Sequence, residues 1–152
     1  MRKKCAKNFK EKRCTAVIIL SHSPEETKAL AARLRKVLAP GTVVALRGGM
    51  GAGKTTFVAG MTSAASSSPT FELVHDYGDL VHTDMYRVGT FEDLCATGFF
   101  EYLDAGAVVA VEWSENIAAF LPPRTVTVTL ETVDENTRRI TIDGVGGMEE
   151  SV

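Results

Sequence analysis

A chain of 152 residues, 45% hydrophobic and 24% charged, has the size and composition of one soluble globular domain, with room for a single sheet and the helices packed on it. No apolar run approaches the roughly 18 residues that a membrane-spanning helix needs, so no membrane partner is expected. The net charge of -2 is unevenly spread: residues 1–14 hold seven of the 17 basic residues and one acid, which leaves the remainder acidic and poorly suited to gripping a nucleic-acid backbone alone.

Residues 1–14 read as a solvated basic tail, with a nucleic-acid- or ribosome-contacting arm as the alternative. The apolar run 15–20 that follows is strand-length, too short for the core of a secretory signal. Cys5, Cys14 and Cys95 are odd in number and have no C-x-x-C spacing. That pattern points to a reducing, cytoplasmic setting, with neither a disulfide framework nor a zinc site. Ser23-Pro24-Glu25-Glu26 has the parts of a helix start: Ser23 as N-cap, Pro24 at the first helical position, and Glu26 closing a capping box. Leu30, Leu34, Val37 and Leu38 recur at helical spacing, so a helix is predicted to run to Leu38, where Pro40-Gly41 stops it.

Residues 42–46 form an apolar strand that delivers the chain to Gly48-Gly49-Met50-Gly51-Ala52-Gly53-Lys54-Thr55, a match to G-x-x-x-x-G-K-[ST]. Such a loop turns successive backbone N–H groups around an anion, and the next helix starts with its positive end toward the phosphates. Lys54 would reach the β- and γ-phosphates, and the Thr55 hydroxyl would sit on Mg²⁺. A chance match in a glycine-rich turn is the competing reading. The strand before the loop and the helix-compatible residues 56–61 after it favour the phosphate loop.

Residues 62–70 are too polar and small to be core. Thr70 stands where a nucleotide-sensing switch would carry a hydroxyl toward Mg²⁺ or the γ-phosphate. Residues 71–77 and 79–85 are predicted strands joined at Gly78, an antiparallel hairpin. Period-two alternation would put His82, Asp84 and Tyr86 on one strand face, which suggests a site. Asp84 would orient an attacking water or bind Mg²⁺ through one; a salt bridge to Arg87 is an equally good reading of the composition. Thr90 is positioned to cap a short helix, and a second apolar patch spans 99–103. Residues 107–111, the most uniformly apolar run, are expected to be a central strand buried on both faces. Glu112 then stands at a strand mouth, either as the Mg²⁺-holding acid of a phosphate-loop enzyme or as a solvated strand end. Trp113, the only tryptophan, is core by default but would gate or report on a nucleotide beside that carboxylate. Residues 114–120 are predicted helical, and 125–130 with 138–142 form a last hairpin. Residues 144–152 form a loose tail. One domain, 15–143, is therefore expected: an α/β, P-loop NTPase-like sheet with a parallel centre, an antiparallel margin and helices on both faces. The loop would lie at the carboxyl edge.

In order, these pieces resemble the ATPase family of tRNA threonylcarbamoyladenosine biosynthesis (TsaE, or YjeE). The resemblance covers residues 23–142. It rests on Glu25-Glu26-Thr27, the loop through Thr56-Phe57, Ser68-Pro69-Thr70-Phe71, His82-x-Asp84-x-Tyr86-Arg87, Glu92-Asp93-Leu94 with Gly98, Val111-Glu112-Trp113, and Leu121-Pro122. It implies a cytoplasmic ATPase that binds Mg-ATP and works with a threonylcarbamoyl transferase and its inactive paralogue, meeting tRNA only indirectly. By residue, Gly48, Gly51, Ala52, Gly53, Lys54 and Thr56 would hold the nucleotide, and Thr55 and Glu112 the metal. Asp84 would be essential to hydrolysis alongside Lys54 and Glu112, Thr70 would belong to the switch, and Trp113 would lie next to the site. Residues 23–27 and Arg138/Arg139 would approach the base or ribose. Two departures stand out: Gly49 replaces an acid usual in the family, and the segment 61–68 is short and rich in Ala and Ser. Two rivals remain. A small metabolite kinase would need an arginine-bearing lid, whereas after Lys54 the arginines are only Arg87, Arg124, Arg138 and Arg139. A non-hydrolysing module would use ATP only to order an interface.

Overall fold

Ser23 starts the first helix through its side chain: Oγ accepts the Glu26 N–H at 3.1 Å, satisfying one of the amides that a helix start leaves unpaired. Glu26 reaches back one residue further than a capping box requires, and its Oε2 accepts the His22 N–H at 2.7 Å. The helix, α1 (Pro24–Val37), buries Thr27, Leu30, Ala31 and Leu34. Val37, expected on the same face, is 45% exposed because the helix ends there and Leu38 turns extended.

The computed structural model describes residues 16–64 and 73–145. The basic tail 1–14, Thr70 with its surroundings, and the chain from 146 onward lie outside the described residues. Seven strands, β1 (Val17–Ser21), β2 (Val43–Arg47), β3 (Val74–Asp76), β4 (Val81–Asp84), β5 (Val109–Glu112), β6 (Val126–Thr132) and β7 (Arg138–Asp143), form one sheet in the order β1-β7-β6-β2-β5-β4-β3. β6, β2, β5 and β4 run parallel. The two edges are antiparallel, β1–β7–β6 on one side and the β3–β4 hairpin on the other. The expected parallel centre with an antiparallel margin is therefore present, and the margin occupies both edges.

Alternation along β2 divides the core. Val44 and Leu46 face α1 and α2 (Lys54–Met61) together with Ala110, Val128, Leu130, Ile140 and Ile142. Val43, Val81, Val109 and Val111 face the other way, toward Leu94 of α3 (Phe91–Ala96), Phe99 of α4 (Phe99–Asp104) and Ile117 of a 3₁₀ helix (Ser114–Phe120). Helices thus cover both faces. Leu34, Leu46 and Phe57 are no more than 1% exposed, and leaving water contributes about 1.5–3 kcal/mol for each. The α1 and α2 backbones meet closely at Gly60, where an added Cβ would collide with Lys28 O and lie 2.6 Å from Lys28 Cα.

Several boundaries differ from expectation. The central strand β5 starts two residues later than residue 107, because the Ala107 N–H is committed to Tyr102 O at 3.0 Å in the turn that closes α4. It also takes in Glu112. β4 stops at Asp84, whose Oδ1 accepts the Tyr86 N–H at 2.9 Å in an Asx turn. Tyr86 therefore does not share a strand face with His82 and Asp84. The 114–120 segment is helical but tight, with a kink at Ile117.

Candidate nucleotide site

Three parallel strands end at one edge of the sheet. In the β2–β5 register Leu46 lies opposite Glu112, and in the β4–β5 register Asp84 does. The chain leaving β2 is the glycine loop, so the loop and both carboxylates meet there. Between them lies a cavity of about 530 Å³ lined by Gly48, Gly49, Met50, Gly51, Gly53, Lys54, Thr55, Thr56, Asp84, Glu112 and Trp113.

The loop's shape requires glycine at particular points. Gly48 has φ +150°, and a Cβ there would lie 2.6 Å from Leu130 O. Gly53, with φ +105°, caps α2 in the left-handed region that L side chains avoid. No side chain caps α2, so its first amides and the positive end of its dipole stay available to an anion. Gly49 has no comparable constraint, because nothing lies within 4 Å of a Cβ placed there.

Lys54 Nζ donates to Gly48 O at 2.8 Å and stands 5.8 Å from the centre of the Trp113 ring. Trp113 is the only non-glycine residue with positive φ among the described residues (φ 57°), a conformation that costs roughly 1–2 kcal/mol. The residue is 46% exposed and its ring packs on Tyr86, centroid to centroid 4.9 Å, so it is not a core tryptophan. Asn116 Nδ2 donates to Met85 O at 2.9 Å and Tyr86 O at 3.1 Å, tying the turn after Asp84 to the 3₁₀ helix. No ion pair joins Asp84 to Arg87 among the described residues.

Glu112 is half-buried, not a solvated strand end. Its Oε2 accepts from His82 Nε2 at 3.1 Å. Burial alone would raise the Glu112 carboxyl. The His82 hydrogen bond, then the charges of His82 and Lys54, outweigh that effect and hold it below the usual carboxylate value. Among the described residues no three His, Cys, Asp or Glu side chains cluster as a metal cage. One hydroxyl (Thr55) and one or two carboxylates beside the glycine loop would suit Mg²⁺, which keeps water and takes phosphate oxygens as ligands.

Of the residues expected at the site, Gly48, Gly51, Gly53, Lys54, Thr55, Thr56, Asp84, Glu112 and Trp113 all line the cavity. Ala52 does not. Its side chain is buried in the α1–α2 core and its N–H donates to Gly49 O at 3.1 Å. A smaller cavity of about 170 Å³ adjoins the loop, sharing Gly51, Gly53 and Thr56 and adding Ser23, Pro24, Thr27, Glu135, Asn136 and Arg138. Arg138 Nη2 donates to Gly51 O at 3.4 Å, while Arg139, on the opposite strand face, pairs with Glu131 at 3.8 Å. Only one of the two arginines therefore reaches this corner. The role of His82 against Glu112, and those of Asn116, Glu135 and Asn136, did not emerge from the sequence. They depend on register between strands and on loops folding back.

A family model described as threonylcarbamoyl adenosine biosynthesis protein TsaE matches residues 21–140. The tRNA threonylcarbamoyladenosine biosynthesis protein TsaE of Bacillus subtilis (strain 168) is 36% identical over 138 residues, covering 84% of this chain and 85% of that protein. The protein of the same description from Aquifex aeolicus (strain VF5) is 36% identical over 135 residues, covering 82% and 93%. The crystal structure of Bacillus YdiB superposes with a TM-score of 0.72 at 31% identity, over 88% of each chain.

Proposed function

Since the chain belongs to the TsaE family of threonylcarbamoyl adenosine biosynthesis proteins, we propose that it binds Mg-ATP in the 530 Å³ cavity and hydrolyses it in the service of tRNA threonylcarbamoyladenosine formation. It would work in the cytoplasm beside a threonylcarbamoyl transferase and that enzyme's paralogue, which would make the tRNA contact. The observation that carries this reading is the convergence of Lys54, Thr55, Asp84 and Glu112 on one cavity at the carboxyl edge of the parallel strands.

Each residue has a task that follows from its surroundings. The uncapped amides of α2 hold phosphate oxygens. Lys54 exchanges its bond to Gly48 O for phosphate, a swap of one acceptor for a charged one, which strengthens the bond. The Thr55 hydroxyl and the Glu112 carboxylate hold the metal. Bound Mg²⁺ supplies positive charge against the charge that develops during phosphoryl transfer. Asp84, fixed by its Asx turn, accepts a hydrogen bond from the attacking water and orients it. The smaller cavity beside Ser23, Thr27 and Arg138 would take the base or ribose. Among the described residues no helix is long and apolar enough to cross a membrane.

Calorimetric titration with ATP, with and without Mg²⁺, tests this assignment. Hydrogen bonds to charged groups are worth about 1.5–3 kcal/mol, so Lys54→Ala should weaken ATP binding roughly 10- to 150-fold. Glu112→Ala should bind ATP normally in EDTA and lose only the gain that Mg²⁺ brings. Equal Mg-ATP affinity in wild type and Glu112→Ala would defeat the metal assignment.

A further inference from the structure

His82 is 1% exposed, in a strand whose neighbouring side chains Val81 and Thr83 are also buried. An apolar side chain could fill such a position without any polar group to satisfy, whereas an imbedded imidazole carries a desolvation cost unless it is hydrogen-bonded. Its partner is the carboxylate at the mouth of the neighbouring strand. Register brings the two together: Asp84 lies opposite Glu112 and His82 opposite Ala110, so His82 sits two residues back on the face of β4 that Asp84 shares, diagonal to Glu112. The Nε2 to Oε2 distance is 3.1 Å. An ionised carboxylate only accepts, so Nε2 carries the proton and donates. Oε1 of Glu112 has no protein hydrogen-bond partner among the described residues.

We propose that His82 is the positioning residue for Glu112: its Nε2–H pins Oε2 and turns Oε1 toward the metal. The proposal rests on the reading of Glu112 as a metal ligand. A rigid buried strand, not a loop, then sets the direction of the carboxylate before nucleotide arrives. Asp84 at the end of that same strand is placed by the same element, so β4 carries both the group that aims the ligand and a carboxylate that lines the cavity. Partners that orient metal-ligating groups typically matter about 10- to 100-fold in metal affinity.

The test is Mn²⁺ binding to the full chain saturated with a non-hydrolysable ATP analogue, followed by the loss of the free-ion electron paramagnetic resonance signal. His82→Leu should weaken Mn²⁺ about 10- to 100-fold and leave metal-free nucleotide affinity unchanged. His82→Gln, which keeps an N–H donor at similar reach, should recover most of the loss. Wild-type Mn²⁺ affinity in His82→Leu, with a loss in Glu112→Gln, would overturn the inference and leave the functional reading standing. Wild-type affinity in Glu112→Gln would overturn that reading and the inference with it. An equal loss of metal-free nucleotide binding in His82→Leu would make His82 a packing residue and overturn the positioning role. If His82→Leu does not fold, long-range ¹H–¹⁵N spectra of the wild type decide: a protonated Nε2 supports the proposal, and a bare Nε2 with the proton on Nδ1 refutes it.

Discussion

Alanine at Gly60 sets two known effects against each other, and the structure fixes which is larger. In an isolated helix the change from glycine to alanine stabilises by about 1 kcal/mol. Here the new methyl would collide with Lys28 O, lie 2.6 Å from Lys28 Cα and reach the Ala31 Cβ at 2.9 Å. Two of these contacts are backbone, and α1 is held at its start by the Ser23 and Glu26 caps, so relief requires α1 and α2 to part. Forced overpacking of this kind costs about 1–3 kcal/mol. Taking the upper half of that range and subtracting the helix gain leaves a net loss of about 1–2 kcal/mol, or roughly 2–8 °C in melting temperature for a domain of this size. Urea denaturation followed by far-ultraviolet circular dichroism reads the change directly. Since α2 also presents Lys54 and Thr55, nucleotide affinity should fall with stability. A variant as stable as wild type, or more so, would refute the close helix crossing on which the loop rests.

Two neighbouring loop glycines should respond oppositely: Gly48→Ala, 2.6 Å from Leu130 O, should lose about 1–3 kcal/mol and its nucleotide binding. Gly49→Asp, with open space around it, should stay within about 0.5 kcal/mol of wild type, and a loss like that of Gly48→Ala would count against the loop geometry. Trp113 is the single tryptophan and lies beside Lys54, so nucleotide should alter its emission as Lys54 leaves Gly48 O; unchanged emission at calorimetric saturation would speak against that movement. The Glu112 carboxyl lies below its ordinary range in the folded chain, so its contribution to stability is complete above the unfolded value and is lost as pH falls through the folded one. Denaturation midpoints on the acid limb should therefore fall less steeply in Glu112→Gln than in wild type, and parallel limbs would contradict the shift.

Much of this architecture was legible because local signals and tertiary packing agree. The Ser23-Pro24 start, the Thr90 cap and the turn at Gly78 each act within a few residues, and each is found where the sequence predicts it. Boundaries slipped where two local arrangements competed for one amide, as when the Ala107 N–H closed the end of α4 on Tyr102 O and shortened the central strand. At the site, Lys54, Thr55 and Glu112 could be chosen from motif and strand position. The burial of His82 and the separation of Arg138 from Arg139 could not, because they depend on which strand lies beside which. Tyr86 leaves the strand face for a local reason: the Asp84 carboxylate ends the strand by bonding the Tyr86 amide.

We propose that this chain hydrolyses ATP and that Asp84 orients the attacking water. The most direct measurement is phosphate release from Mg-ATP by the full chain mixed with purified threonylcarbamoyl transferase and its paralogue, wild type against Asp84→Ala, with ATP affinity measured in parallel. The expected result is release that rises when the transferase pair is added and disappears in Asp84→Ala while ATP still binds. Undiminished release in Asp84→Ala, or no release by the wild type above a protein-free blank, would contradict it.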